Sequence, residues 1–159
     1  MNIFYLHHDP KQCAQQTCDK HVVKMIVETA QLLSTAHHVL DGDSDKDIYK
    51  KTHANHPSAI WARKTDSNYV WLWCLLVSLC KEYTYRYGKI HLCQRSGLVQ
   101  RLMELPSNIE VGPFTPPTPA MPDEYKTIDA IQSYHNYYNG SKAKFATWRQ
   151  RPTPEWFSA

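Results

Sequence analysis

Residues Asp19 to Leu40 read DKHVVKMIVETAQLLSTAHHVL, a run without Gly or Pro. Its polar members His21, Lys24, Glu28, Gln31, Thr35 and His38 recur at steps of three and four. At about 100° per residue these positions form one stripe of an α-helix. Val22, Met25, Ile26, Leu32, Leu33, Ala36 and Leu40 cover the adjoining face, and Val23, Val27 and Ala30 make the far side apolar. A helix that is apolar nearly all round belongs at the centre of a fold. A carboxylate, an amine and two imidazoles on such a helix must line a cleft or pair with one another, because an unpaired buried charge is costly. Lys24 and Glu28 also fit a plain i, i+4 ion pair, worth about 0.2–0.5 kcal/mol. For the stripe as a whole a functional cleft is expected, with Glu28 as general acid/base.

The segments around this helix read as further helices. Asn2 to Leu6 form a short extended apolar entry, and Asp9-Pro10 turns the chain into a short helix reaching about Thr17. Asp19 is the expected N-cap of the long helix, which stops at Asp41-Gly42-Asp43. The acidic run Asp41, Asp43, Asp45 and Asp47 reads as a solvated loop within a polar connection over residues 43–56. Pro57 opens a helix to about Lys64. Asp66 or Ser67 caps the next, which runs to Tyr87 and ends at Gly88. A fourth spans His91 to Leu105. Residues 106–122 are Pro-rich and irregular, the kind of long loop that often serves as a lid or binding loop. Thr127 caps a helix to about Tyr138, Asn139-Gly140 breaks it, and a last short helix covers Ser141 to Trp148. Trp156 and Phe157 pin the end of an aromatic, basic tail. No β-hairpin signal appears. The expected fold is all-α, one compact helical bundle over residues 1–159.

Composition bounds the function loosely. The chain has 159 residues, 42% of them hydrophobic, and a formal net charge of +3. That length buries a core without disulfides or metals, and so mild a charge neither requires nor excludes nucleic acid. Five cysteines form no CxxC pair, which fits reduced thiols in a cytoplasmic setting. The N-terminus lacks the basic and apolar regions of a signal peptide, and the most apolar run, Tyr69 to Cys80, is too short to cross a bilayer.

His53-x-x-His56 could bind a metal with His21 or Asp9, but the spacing matches no standard signature, so neither metal nor cofactor is expected. Tyr83, Tyr85, Arg86, Tyr87 and His91 could stack on bases and hold phosphate; equally, Arg86 pairs with Glu82 at a helix end anchored by tyrosines. Gly-rich phosphate loops, GxSxG elbows and Walker motifs are absent, against nucleotide hydrolysis and α/β-hydrolase chemistry.

Three stretches together resemble the pyrimidine-dimer DNA glycosylases of the endonuclease V type, known from phages and bacteria. They are Met1-Asn-Ile-Phe-Tyr-Leu-His7 with the long helix that carries Glu28; Thr52-His-Ala-Asn-His-Pro57 followed by Trp61; and Glu82-Tyr-Thr-Tyr-Arg-Tyr-Gly-Lys-Ile-His91. The resemblance implies a helical bundle that binds duplex DNA, with no membrane role. It implies attack of an N-terminal α-amine on the sugar C1′, an imine intermediate, and a buried glutamate that assists the later steps, strand cleavage at an abasic site included. That glutamate maps to Glu28, with His21 and Lys24 beside it. Asn2, Gln31, His53, His56, Arg86 and His91 are the residues expected to contact substrate or phosphate. α-Amines titrate near 8, which leaves a neutral fraction at pH 7. The chain departs from the pattern at Asn2, where a small residue exposed by removal of Met1 is expected. Asn2 leaves Met1 in place, so the nucleophile becomes the amine of Met1, or Lys24 acting through a Schiff base. Two other readings stand beside glycosylase/lyase chemistry: transfer of a group onto a DNA base or nucleotide on the same scaffold, and a non-catalytic DNA-binding module.

Overall fold

In the computed structural model, which describes residues 1–43 and 45–159, the described residues are helical and irregular, with no strand. The helices are α1 (Pro10–Gln16), α2 (Asp19–Asp41), α3 (Pro57–Ala62), α4 (Asp66–Tyr87), α5 (Leu92–Arg95), α6 (Leu98–Arg101) and α7 (Ala130–Tyr137). A 3₁₀ turn covers Asp123–Tyr125 and a π turn Tyr138–Lys142. The two long helices, α2 and α4, pack on each other, with α1 against α4 and α3 against α2. Among the described residues no helix is long and apolar enough to cross a membrane.

The extended entry runs into this core rather than along its surface. Ile3, Phe4, Tyr5 and Leu6 are all buried. Tyr5 meets Trp71 edge-on, and the Cys13 thiol donates to the Phe4 carbonyl. Burying four consecutive large side chains removes several hundred Å² of apolar surface from water, at roughly 25 cal/mol per Å². The first residues are therefore held by the core, and the chain's first amine is held with them.

The helix ends show which local signals won. α4 stops at Gly88, whose φ of 68° is left-handed and whose N–H donates to the Thr84 carbonyl, the ordinary glycine stop. Its cap is Thr65, whose hydroxyl accepts the Asn68 N–H at 3.2 Å. Asp66, expected to cap, instead accepts the Gly112 N–H and ties down the Pro-rich segment. Cys18 occupies the cap position of α2 without a side-chain bond, because Asp19 is turned to Arg86. The expected fourth helix is split into α5 and α6 by Gly97, at φ 82°. Asp129, not Thr127, caps α7 by accepting from Ile131 and Gln132. The expected helix over residues 141–148 is replaced by the π turn and irregular chain. A side chain at Gly140 would collide with the Tyr125 ring, so this turn is tied to its neighbour. Trp156 stacks on His135 and Phe157 meets Trp148, which fixes the tail as expected.

Two further expectations change in three dimensions. α2 is not apolar-buried all round: Val23 is 43% exposed and Val39 is exposed too, one near each end of the helix and on different sides of it. Asp41 is not merely solvated, since its carboxylate accepts the Ser107 and Asn108 N–H groups. The Pro-rich segment is strapped down further along, with Trp61 donating to the Thr115 carbonyl and Phe114 seated among Tyr5, Trp61 and Trp71.

Arg86 is a fully buried charge in the framework. Its Nε donates to Glu82 at 2.9 Å, Nη1 to Asp19 at 2.9 Å, and Nη2 to the Gln15 carbonyl at 3.0 Å. Arg151 closes the network by donating to Glu82 at 2.8 Å. A fully dehydrated guanidinium is tolerated only with such complete pairing. Arg86→Ala removes the buried cation that Asp19 and Glu82 share, leaving Asp19 to Thr147 and the Arg149 N–H and Glu82 to Arg151. It should cost about 3 kcal/mol in chemical denaturation, whereas Arg151→Ala, removing the more exposed partner, should cost far less.

Candidate active site

The core places Met1 where its terminal amine donates to Glu28 Oε1 at 3.2 Å. The Met1 side chain is only 3% exposed and that of Glu28 16%. Met1 as a whole is half-buried, so its accessible surface lies on main-chain atoms. The second carboxylate oxygen, Oε2, is buried without a hydrogen-bond partner. Lys24 Nζ lies 4.0 Å from it, on a side chain 66% exposed. At that distance and exposure the i, i+4 pair is a weak screened attraction. The shorter contact, to the amine, dominates.

The second half of the α2 stripe builds the neighbouring wall. Thr35 Oγ1 donates to the Thr52 carbonyl and accepts the Thr52 N–H, both at 3.1 Å. His38 Nε2 bonds the Tyr49 carbonyl at 2.9 Å. These contacts fasten the connection onto α2 and bring the following turn beside Glu28. There the His56 ring caps α3, its Nδ1 accepting the Ser58 N–H at 3.1 Å. Burial lowers the His56 pKa, the positive amine of Met1 and His53 lower it further, and Glu28 opposes them. His56 is thus a neutral imidazole that feels both members of the pair, and with Nδ1 accepting, its ring proton resides on Nε2. His53 is exposed, at a left-handed φ of 49°, with Nδ1 2.7 Å from Thr52 Oγ1. Gln31 lies half-buried on the stripe.

One turn before Lys24, His21 is built into the wall. Its ring stacks on Phe4 with centroids 4.0 Å apart, and Nδ1 shares a 2.8 Å hydrogen bond with the Tyr138 hydroxyl. Burial, reinforced by Lys142, Lys24 and Lys20, pushes its pKa down to about 3. It stays neutral at physiological pH, packed between Phe4 and Tyr138. Those lysines matter in their own right. Lys20 Nζ lies 4.5 Å from the Phe145 ring centroid and Lys142 Nζ 4.7 Å from that of Tyr137. No carboxylate pairs with either among the described residues. The start of α2, about 12 Å along the helix from Glu28 at 1.5 Å per residue, is therefore cationic and aromatic.

Three residues expected to contact substrate are engaged within the protein. Arg86 has its guanidinium spent inside the protein, near the start of α2 and roughly 13 Å along that helix from Glu28 at 1.5 Å per residue. His91 caps α5 by accepting the Cys93 N–H and stands edge-on to Tyr83. Asn2, expected to touch substrate, is turned inward, its amide bonded to Ala120 and Tyr134. Tyr134 escaped sequence reading because 132 residues separate it from Asn2. The larger surface grooves, about 490 Å³ between α1 and the tail and about 600 Å³ between α4 and α5–α6, are not lined by Met1 or Glu28.

A helical fold that holds an amine on a half-shielded carboxylate defines an amine–carboxylate site, with lysines further along the same helix. The family model for pyrimidine dimer DNA glycosylases matches residues 1–95, and the chain belongs to that family. At family level its role is DNA repair of the glycosylase type, with DNA as partner. No curated protein and no solved structure matches the chain. The matched region contains Met1, Lys24, Glu28 and His56; Ala120, Tyr134, Tyr137, Lys142 and Phe145 lie beyond it.

Proposed function

We propose that the chain is a DNA glycosylase/AP lyase that uses the α-amine of Met1 as nucleophile and Glu28 as acid/base. The observation that carries this reading is the 3.2 Å contact between the amine and Glu28 Oε1. The amine loses a proton and its nitrogen lone pair forms a bond to the sugar C1′ of a duplex. At a damaged pyrimidine the C1′–N1 bond breaks and the base leaves with the electron pair. The C1′–O4′ bond then opens, with Glu28 supplying the proton to O4′, and an imine remains. At an abasic site the amine adds to the C1′ aldehyde and water is lost, giving the same imine. The carboxylate then takes a C2′ proton, the C3′–O bond breaks, and the 3′ phosphate departs, which cleaves the strand. Glu28 is suited to both directions of proton transfer because Oε2 has no protein hydrogen bond to surrender.

Lys20, Lys24 and Lys142 supply charge for the phosphate backbone, and the rings of Tyr137 and Phe145 beneath two of them hold those ammonium groups in place. Lys142→Ala should lower duplex affinity and reduce the slope of log affinity against log salt by about 1, with little sequence dependence. Titration at several salt concentrations measures both.

The test of the reaction is a duplex with one abasic site, incubated with and without borohydride. A trapped covalent complex and a cleaved strand are the expected products. Tight binding without either product would leave a non-catalytic DNA-binding module instead.

A further inference from the structure

We propose that Tyr134 is a positioning residue for the nucleophile, acting through Asn2; this rests on the function proposed above. The Asn2 amide is used at both ends. Its Oδ1 accepts the Tyr134 hydroxyl at 2.7 Å and the Ile3 N–H at 2.9 Å, and its Nδ2 donates to the Ala120 carbonyl at 2.7 Å. The Ala120 N–H donates back to the Tyr134 hydroxyl at 3.1 Å, so three distant segments close one ring of hydrogen bonds. Tyr134 itself is wholly buried. It touches neither the amine nor any surface that DNA can reach.

The ring matters because Asn2 is one peptide from the amine. With the Asn2 amide clamped and the Met1 side chain buried, few rotations remain by which the amine could leave Glu28. Pre-set geometry of this kind is what converts a bimolecular attack into an effectively unimolecular one. Both clamp partners, Ala120 and Tyr134, lie outside the matched residues 1–95. The C-terminal part thus serves the chemistry by holding the first peptide.

The experiment compares Tyr134→Phe with Tyr69→Phe. Tyr69 is an equally buried tyrosine whose hydroxyl donates to the Leu102 carbonyl at 2.7 Å and has no link to Asn2. Both variants lose one buried hydroxyl, so both lose stability. Tyr134→Phe alone should slow single-turnover imine formation on abasic duplex by about 10–100-fold, with duplex Kd changed by less than about two-fold. It alone should also speed modification of the Met1 amine by a small aldehyde reagent in the absence of DNA. Equal behaviour of the two variants in both assays would overturn the proposal. Were the wild type inert on DNA, the glycosylase/lyase reading would fall, while the amine-modification comparison would still decide the clamp.

Discussion

Protein carrying two extra residues ahead of Met1 should bind duplex DNA normally and form no borohydride-trapped adduct with an abasic site. Extension converts the Met1 nitrogen into an amide, whose lone pair is delocalised into the carbonyl and does not attack C1′. The new terminal amine is displaced by up to about 7 Å, at about 3.5 Å per extended residue, while Glu28 stays on α2. The loss should reach at least about 10³-fold, because intramolecular placement of a nucleophile is worth effective molarities of 10⁵ M and more. The folded core should tolerate the extension, since the accessible surface of Met1 lies on its main chain and the added residues can leave toward solvent. Undiminished trapping would move the nucleophile to a side-chain amine, and Lys24, 4.0 Å from Glu28, is the one the geometry offers.

Glu28→Gln should lower the rate of imine formation and strand cleavage by about 10²–10⁴-fold, the usual range for losing a positioned acid/base. Glutamine keeps the shape and an oxygen for the Met1 amine, but takes no proton from it and returns none to O4′ or from C2′. Affinity for abasic duplex should hold or rise, because a carboxylate beside phosphate is removed. Melting should fall modestly, since the ion pair with the amine becomes an ordinary hydrogen bond while the buried Oε2 position keeps a polar atom without a partner. A variant that binds but does not cut separates chemistry from recognition; a variant that cuts at the wild-type rate removes Glu28 from the mechanism.

These effects concentrate on a part of the molecule that was legible early. Steps of three and four along residues 21–38 put Lys24 and Glu28 on one face whatever the fold, because helical geometry alone decides it. Glycine stops are equally local, and α4 ends at Gly88 as read from sequence. Depth, by contrast, is not local. His21 and Lys24 share the stripe, yet one is packed under Phe4 and the other is exposed, according to what other segments bring against them. The Glu82–Arg86 spacing announced an ion pair but not its burial, since the third partner, Asp19, lies 67 residues away. Thr35 and His38 read as members of the same stripe, yet they fasten the connection that carries His56. Tyr134 had no signal at all, for no periodicity links an aromatic near the end of a chain to its second residue.

The central claim is that the α-amine of Met1 makes the bond to DNA. The most direct measurement is peptide mapping by tandem mass spectrometry of the borohydride-trapped complex with abasic duplex, after digestion of both protein and DNA. The sugar remnant should sit on the α-nitrogen of Met1, in a peptide beginning Met1-Asn2-Ile3. A remnant on Lys24 or any other side-chain amine, with the Met1 nitrogen unmodified, would contradict the account.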